Sequence, residues 1–349
     1  MSFRLPVEHV GPGTPVGEVL RRHWQPVAAA GDLRAGTAQA ARILGEDLTL
    51  YRGDGGEAHA VAARCPHRGT FLHTGWVEDE CLRCSYHGWA FDPSGQCVDQ
   101  PAEPPDRAAS VRIGRWPVEE YADLVWVYLG DGEPPALPRY PELDDPGVVA
   151  LGSVRPPGPW PINFFQAIEN HVDPVHTAFV HRATEPYARE VPEVGVEATE
   201  DGLAVTAVRS GVPRRTWYRF PCLIQIPMRH IVDDQTELHF FNWAVPVDDR
   251  QTLFIAAAAV PVDLVDRVRS DQAGRSMDPD AGPDLLAGRR RPASVTEEDY
   301  VALCGQGPVA DRDHERLGRS DVGVIALRRL WQEAAGGGSG LGDGPVDDE

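Results

Sequence analysis

Cys65-Pro-His67 and Cys84-Ser-Tyr-His87 place two cysteine–histidine pairs sixteen residues apart, in a 349-residue chain with only six cysteines and twelve histidines. Two thiolates plus two imidazoles are the donors of a [2Fe–2S] centre in which histidines replace cysteines on one iron, a change that raises its potential. Cys65 and Cys84 would hold one iron, and His67 and His87 the other. Each pair is expected at a hairpin tip, and the two tips must converge on a small cluster. Gly69 and Gly88 let the backbone approach the sulfides and aim N–H groups at them. The same residues admit a second chemistry. Cys81 and Cys84 form C-x-x-C, half a zinc site, which Cys65 and a histidine could complete. Cys97, Cys222 and Cys304 read as small core hydrophobes.

A second constellation lies at residues 169–181: Glu-Asn-His-Val-Asp-Pro-Val-His-Thr-Ala-Phe-Val-His. Two histidines and a downstream carboxylate can form the facial triad that holds a mononuclear Fe(II) and leaves positions open for O₂ and substrate. His176 and His181 are five residues apart, roughly 140° around an ideal helix. Proline cannot continue a helix interior, so a break at Pro174 is needed to bring both rings to one metal. The same residues also fit a plain structural role. Asp173-Pro174 is a good helix N-cap and first-turn pair, and both histidines could be core side chains with satisfied hydrogen bonds.

Together the motifs resemble the Rieske non-haem iron oxygenases. The HRG and HGW continuations match the Rieske pattern. Thr70 and Tyr86 stand where respiratory Rieske proteins carry an extra cysteine pair, so the chain resembles the low-potential branch. A Rieske ferredoxin needs about 100 residues, and this chain is far longer. Residues 170–181 match the oxygenase α-subunit signature N-x-x-D-x-x-H-x-x-x-x-H. The resemblance implies that His176 and His181 ligate iron and that Asp173 carries the electron from a neighbouring subunit's cluster. In the phthalate- and vanillate-type branch, a short acidic run before a helix ends in the third ligand. Here Val295-Thr-Glu-Glu-Asp299 places Asp299 there, with Glu298 as fallback. An acidic first turn also suits the helix dipole. Leu317–Asp321 and Arg328-Arg329-Leu resemble the family's closing helix.

The resemblance implies an α+β chain: an N-terminal all-β Rieske [2Fe–2S] domain, then a helix-grip (START-like) catalytic domain with an antiparallel sheet. The expected divisions are an N-terminal helical segment at 1–35, the Rieske domain at 36–135, the catalytic domain at 150–335 and a disordered acidic tail at 336–349. The segment Val16–Trp24 reads as a helix. Strands are expected over Arg42–Arg52, Glu57–Arg64, Trp89–Phe91, Gln96–Asp99 and Leu124–Leu129. Further strands are expected over Leu203–Arg209, Arg215–Ile226, Thr236–Val245 and Thr252–Val260. Pro135–Pro146 reads as a linker, and polar residues 266–293 as a mobile surface loop or lid. Phe164, Phe165, Phe220, Leu223, Asn242 and Trp243 are the expected pocket walls.

A net charge of −20 disfavours nucleic acid and anionic membranes as partners. No run is long and apolar enough for a membrane span, and Met-Ser-Phe-Arg-Leu-Pro lacks an apolar signal core, so a cytoplasmic location is expected. The chain has no dinucleotide fingerprint. NAD(P)H electrons would then arrive through a separate ferredoxin or flavin reductase, and O₂ and a small aromatic or heterocyclic substrate would meet at the mononuclear iron. A homotrimer, or two stacked, is implied by the resemblance alone. The reading from a different class is a Rieske electron-transfer or regulatory protein whose second domain binds a ligand and no mononuclear iron. All 33 basic residues are arginine. Arg64, Arg68 and Arg83 crowd the cluster loops and read either as a basic docking patch for an acidic electron donor or as solvated surface arginines. Electron-transfer rates are therefore expected to fall steeply with salt, and Arg68→Glu to flatten that slope; stopped-flow reduction across ionic strengths checks it, and an unchanged slope sinks it.

Overall fold

A computed structural model describes residues 5–104, 106–155, 158–185, 188–229, 236–275 and 277–336. The tail expected to be disordered lies, beyond Gly336, outside the described residues. The chain begins with helix α1 (Pro15–Arg21), where the Thr14 hydroxyl accepts the Gly17 N–H and proline fills the first turn. Short strands follow: β1 (Gln25–Ala29), β2 (Ala38–Ile43), β3 (Glu46–Arg52), β4 (Ala58–Ala62), β5 (Trp76–Glu78), β6 (Cys81–Arg83), β7 (Ala90–Phe91), β8 (Cys97–Asp99), β9 (Arg115–Trp116), β10 (Val118–Tyr121) and β11 (Leu124–Val127). They form three sheets, ordered β2-β3-β4-β9, β1-β11-β10 and β5-β6-β7-β8.

The strand expected to run unbroken from Arg42 to Arg52 folds back on itself. Leu44 and Gly45 take positive φ (51° and 79°), and Ile43 pairs with Glu46 across them. This two-residue turn lacks the usual Asn-Gly. It is held from outside, because the Leu44 and Gly45 N–H groups donate to the Pro246 and Val247 carbonyls at 2.8 and 2.9 Å.

The C-terminal half is one seven-stranded antiparallel sheet with helices. Its strands are β12 (Val148–Val154), β13 (Glu193–Thr199), β14 (Gly202–Arg209), β15 (Val212–Arg219), β16 (Leu223–Met228), β17 (Leu238–Asp248) and β18 (Gln251–Pro261), ordered β12-β18-β17-β16-β15-β14-β13. The helices are α2 (Pro141–Asp144), α3 (Phe164–His171), α4 (Thr177–Val180), α5 (Val265–Arg275), α6 (Gly282–Leu286), α7 (Val295–Cys304) and α8 (Val322–Ala335). An all-β unit followed by an antiparallel sheet with helices is the expected α+β architecture. The strand expected over Arg215–Ile226 is split at Phe220-Pro221-Cys222 into β15 and β16.

Both faces of the large sheet are covered in places, so its long strands lose the in–out alternation of a half-exposed sheet; Phe254–Val260 of β18 are buried without interruption. On one side Trp331 of α8 packs on Phe164, Phe165 and Phe220, with ring centroids 5.6, 5.8 and 4.7 Å away, and donates to the Tyr218 hydroxyl at 2.9 Å. On the other, Leu223, Phe241, Trp243 and Ile255 join Val125, Trp126, Val127 and Tyr140 in a core shared by the two halves. Residues 266–293 are not a free loop. They contain most of α5 and all of α6, with Val268, Met277 and Leu285 buried.

An ion network ties the closing helix to α3. Buried Arg328 of α8 meets Glu169 of α3 at 2.6 Å and also Glu315, and Arg312 meets Glu169 at 2.7 Å. Removing one partner of such a network strands the other charges. Arg328→Met is expected to lower stability by about 3 kcal/mol, read from the urea midpoint at constant m-value. A loss under about 0.5 kcal/mol, as at an ordinary surface site, would mean the network holds nothing.

Candidate functional site

The two cysteine–histidine loops share one conformation. Arg64 bridges to Phe71 and Arg83 pairs with Ala90, so residues 65–70 and 84–89 form matching hairpin tips. In each, the glycine N–H returns to the cysteine carbonyl: Gly69 to Cys65 at 2.9 Å and Gly88 to Cys84 at 3.0 Å. Both glycines have φ of 75°, a left-handed conformation that a side chain would strain. The arginine before each cysteine closes its loop: Arg64 donates to the Gly69 carbonyl at 2.8 Å and Arg83 to the Gly88 carbonyl at 2.6 Å. Arg83 is also paired with Glu78 and Asp99, both at 2.8 Å. Two of the three arginines read as a docking patch are thus occupied in holding the loops, while Arg68 lies over the Tyr86 ring.

The thiols point inward and the imidazoles toward the surface. Cys65 and Cys84 are 2% exposed. The His67 and His87 rings lie 4.4 Å apart, with His67 stacked on Trp89. Burial pushes the Cys65 thiol up to about 11, so a bound metal is what would keep it a thiolate. This arrangement fits a cluster with its histidine iron near solvent. Cys81, the further cysteine of the zinc reading, sits on β6 beside Tyr51 and Asp92.

The second site is assembled at a broken helix. Helix α3 ends at His171, and the chain turns through Asp173-Pro174 before the single-turn α4, which His176 precedes and His181 follows. The break expected at Pro174 is present. Asp173 Oδ1 accepts the Val175 N–H at 2.8 Å. His176 Nδ1 bonds the Asp173 carbonyl, and His181 Nδ1 bonds Glu298 Oε2 at 3.0 Å. Each contact fixes a ring and frees its Nε2 for metal. Both free nitrogens face Asp299 Oδ1, at 3.8 Å from His176 and 3.3 Å from His181. One donor atom from each of His176, His181 and Asp299 lies within 4.8 Å of the others. Asp299 Oδ1 is buried with no hydrogen-bond partner. Burial alone would push this carboxyl up, but His181, with His176 and His171, outweighs it and holds it below the usual carboxylate range. An unpaired buried oxygen between two imidazole nitrogens is a fit for a divalent cation.

The start of α7 separates three consecutive acids. Ser294 caps the helix by accepting the Glu297 N–H. Glu297 accepts from Arg290 at 2.6 Å and from the Ala293 N–H at 2.8 Å. Glu298 takes His181 and the Thr184 hydroxyl. Asp299 alone of the three is left facing the free Nε2 atoms of both histidines.

A cavity of about 510 Å³ adjoins these residues. Its wall is one face of the sheet: Val205 and Thr216 are cross-strand neighbours, as are Ile226 and Phe240. Of the six expected wall residues, Asn242 lines the cavity. Phe164, Phe165 and Phe220 pack with the helices, and Leu223 and Trp243 face the shared core. Sequence reasoning missed Arg155 and His171, which also line it. Arg155 donates to the Asn242 carboxamide oxygen. Burial, with Arg155 nearby, pushes the His171 pKa down to about 3, so its ring is neutral. A histidine one residue into a recognised motif was the available signal.

The chain is similar to known proteins in sequence and in fold. A family model described as the Rieske [2Fe-2S] domain matches residues 23–122. The tert-butanol monooxygenase / tert-amyl alcohol desaturase oxygenase subunit of Aquincola tertiaricarbonis is 32% identical, across 95% of this chain and 76% of its own. The phenoxybenzoate dioxygenase subunit alpha of Ectopseudomonas oleovorans is 34% identical, across 93% and 82%. NdmA of Pseudomonas putida CBB5 shares the fold, with a TM-score of 0.68 at 24% identity over 91% of this chain and 92% of its own.

The roles of the adjacent acids separate experimentally. Glu298→Ala is expected to weaken ferrous binding about 10- to 100-fold, the usual cost of losing a carboxylate behind a metal-ligating histidine. Asp299→Ala should abolish it within the measurable range. Chelator competition reads both, and equal losses would contradict the division.

Proposed function

Because the chain belongs to the Rieske non-haem iron oxygenases, as an oxygenase subunit, we propose that Cys65, Cys84, His67 and His87 hold its [2Fe–2S] cluster and that His176, His181 and Asp299 hold its iron. One observation carries the second assignment: the unpartnered, buried Asp299 Oδ1 between two imidazoles whose other nitrogens are engaged. When bound, the two groups supply one-electron transfer and O₂ activation. The chain's own residues supply the rest. Glu298 and the Asp173 carbonyl hold the histidine rings in register. The sheet face lines the cavity with apolar side chains. Asp173 is proposed as the electron entry: its Oδ1 is engaged at the helix break, and its Oδ2 lies 3.9 Å from His176 Nδ1.

In this reading the electrons come from NAD(P)H through a separate ferredoxin or flavin reductase, and reach Asp173 from a neighbouring subunit of a homotrimer or stacked pair of trimers. The substrate is a small aromatic or heterocyclic compound that is hydroxylated, demethylated or otherwise oxygenated. The relatives named for an alcohol and for a phenoxybenzoate support a small organic substrate. The electron-carrier reading leaves the His176–His181–Asp299 convergence without a role. No helix of the described residues is long and apolar enough to cross a membrane. With Cys65 and Cys84 proposed as cluster ligands and the other four cysteines free thiols, the cysteine usage supports a reducing, cytoplasmic compartment.

Anaerobically purified chain is expected to carry about three irons and two acid-labile sulfides, with a Rieske-type EPR signal after dithionite. His181→Ala should keep the signal and fall to about two irons. A wild-type chain that stays at two after ferrous reconstitution would falsify the mononuclear site.

A further inference from the structure

We propose that the cavity takes an apolar monocarboxylate and seats its carboxylate on Arg155; this names the substrate class of the site proposed above and rests on that reading. Arg155 directly follows β12, where its N–H donates to the Phe254 carbonyl at 2.9 Å. From there its side chain reaches across β18 to Asn242 of β17. That carboxamide oxygen is a neutral partner. Among the described residues no carboxylate forms an ion pair with Arg155, and the acid whose charge it senses is Asp299. Asp299 is already committed to a divalent metal in the proposed site, which cancels its charge. A half-buried guanidinium is then left beside a metal centre with a net positive sum, a costly state unless an anion joins it.

The remaining Arg155 donors are not sealed in protein. None is among the buried polar atoms that lack a partner, and the residue lines the cavity. They therefore open into the space where substrate sits. A guanidinium presents paired N–H donors in a fixed fork that matches a carboxylate. His171 lines the same cavity and has a buried Nδ1 without a hydrogen-bond partner. As a neutral ring it can donate to the same anion without repelling it.

The rest of the lining fixes the body of the ligand. Val154, Val205, Ile226, Phe240, Ala256 and Met277 are apolar and suit a hydrocarbon or aromatic frame. Arg214 and Arg269 also line the cavity and form no ion pair among the described residues. With Arg155 and Arg209 they share the lining with Asp173 and Glu185, so once Asp299 is taken by the metal the wall carries more positive than negative side chains.

The test uses the full chain carrying cluster and iron, titrated calorimetrically with benzoate, biphenyl-4-carboxylate and the two matching carboxamides. The better-fitting carboxylate is expected to bind at least about tenfold tighter than its amide. Arg155→Met should erase that preference by bringing the carboxylate down to the affinity of its amide, and leave the reduced-cluster EPR signal unchanged. Arg155→Lys should restore part of it. In His181→Ala, where Asp299 regains an uncancelled charge, the preference should shrink but stay dependent on Arg155, because the anion sits on arginine and not on iron. Equal affinity of acid and amide, binding of neither pair, or a preference that survives Arg155→Met but vanishes in His181→Ala overturns the proposal. A low iron count with an Arg155-dependent preference would defeat the proposed metal site and leave the carboxylate seat standing on the cavity geometry alone.

Discussion

The C-terminal half is organised around one carboxylate oxygen that has no hydrogen bond. Asp299 Oδ1 is buried and faces two imidazole nitrogens. Such an atom costs free energy in the metal-free chain, so its position must be imposed by neighbours that are fully satisfied. Consecutive side chains on a helix point about 100° apart. Once Ser294 fixes where α7 begins, Glu297, Glu298 and Asp299 are sent in three directions. The first meets Arg290, the second meets His181, and the third is left facing the free nitrogens of His176 and His181. On the opposite side, the interruption at Pro174 turns His176 and His181 toward the same point. The Glu169–Arg328–Arg312 network holds the helix from which that segment departs.

The parts of this architecture that were legible in the sequence are those specified locally. Cys65, His67, Cys84 and His87 carry their meaning in residue type and short spacing, and Pro174 announces its own break. Glu298 and Asp299 could not be told apart, because both lie in one acidic turn. The distinction lies in a hydrogen bond to His181, far earlier in the chain. The Leu44-Gly45 turn was invisible for the same reason, being held by Pro246 and Val247. Residues 266–293 read as loop because their few apolar residues are too sparse to show a helical period, although Val268, Met277 and Leu285 are buried.

Five of the six expected wall residues lie off the cavity for a different reason. Where both faces of a sheet are covered, apolar character no longer identifies the ligand side. Trp243 and Asn242 are adjacent on β17 and face opposite sides; the large aromatic went to the shared core and the small amide to the cavity. The polar residues were the better guide. A strand interior that retains asparagine, next to a strand end that supplies arginine, marks the face where something other than hydrocarbon is expected.

The aromatic core between the two halves has a consequence for how the protein is made. Trp126 packs edge-to-face on Trp243 at 5.2 Å, and Tyr140 packs on Phe241 and Trp243. The N-terminal half leaves the ribosome first, with the apolar face of β11 uncovered until β17 and β18 are synthesised. At ordinary elongation rates that interval is on the order of ten seconds. The cluster loops close on their own backbone hydrogen bonds, so they can form within it. Nascent chains therefore pass through a stage in which iron–sulfur assembly is already geometrically open while a sticky surface awaits its cover. Holding that surface apart from other chains is a task for the chaperone machinery, and expression of the first half alone would leave it permanently exposed.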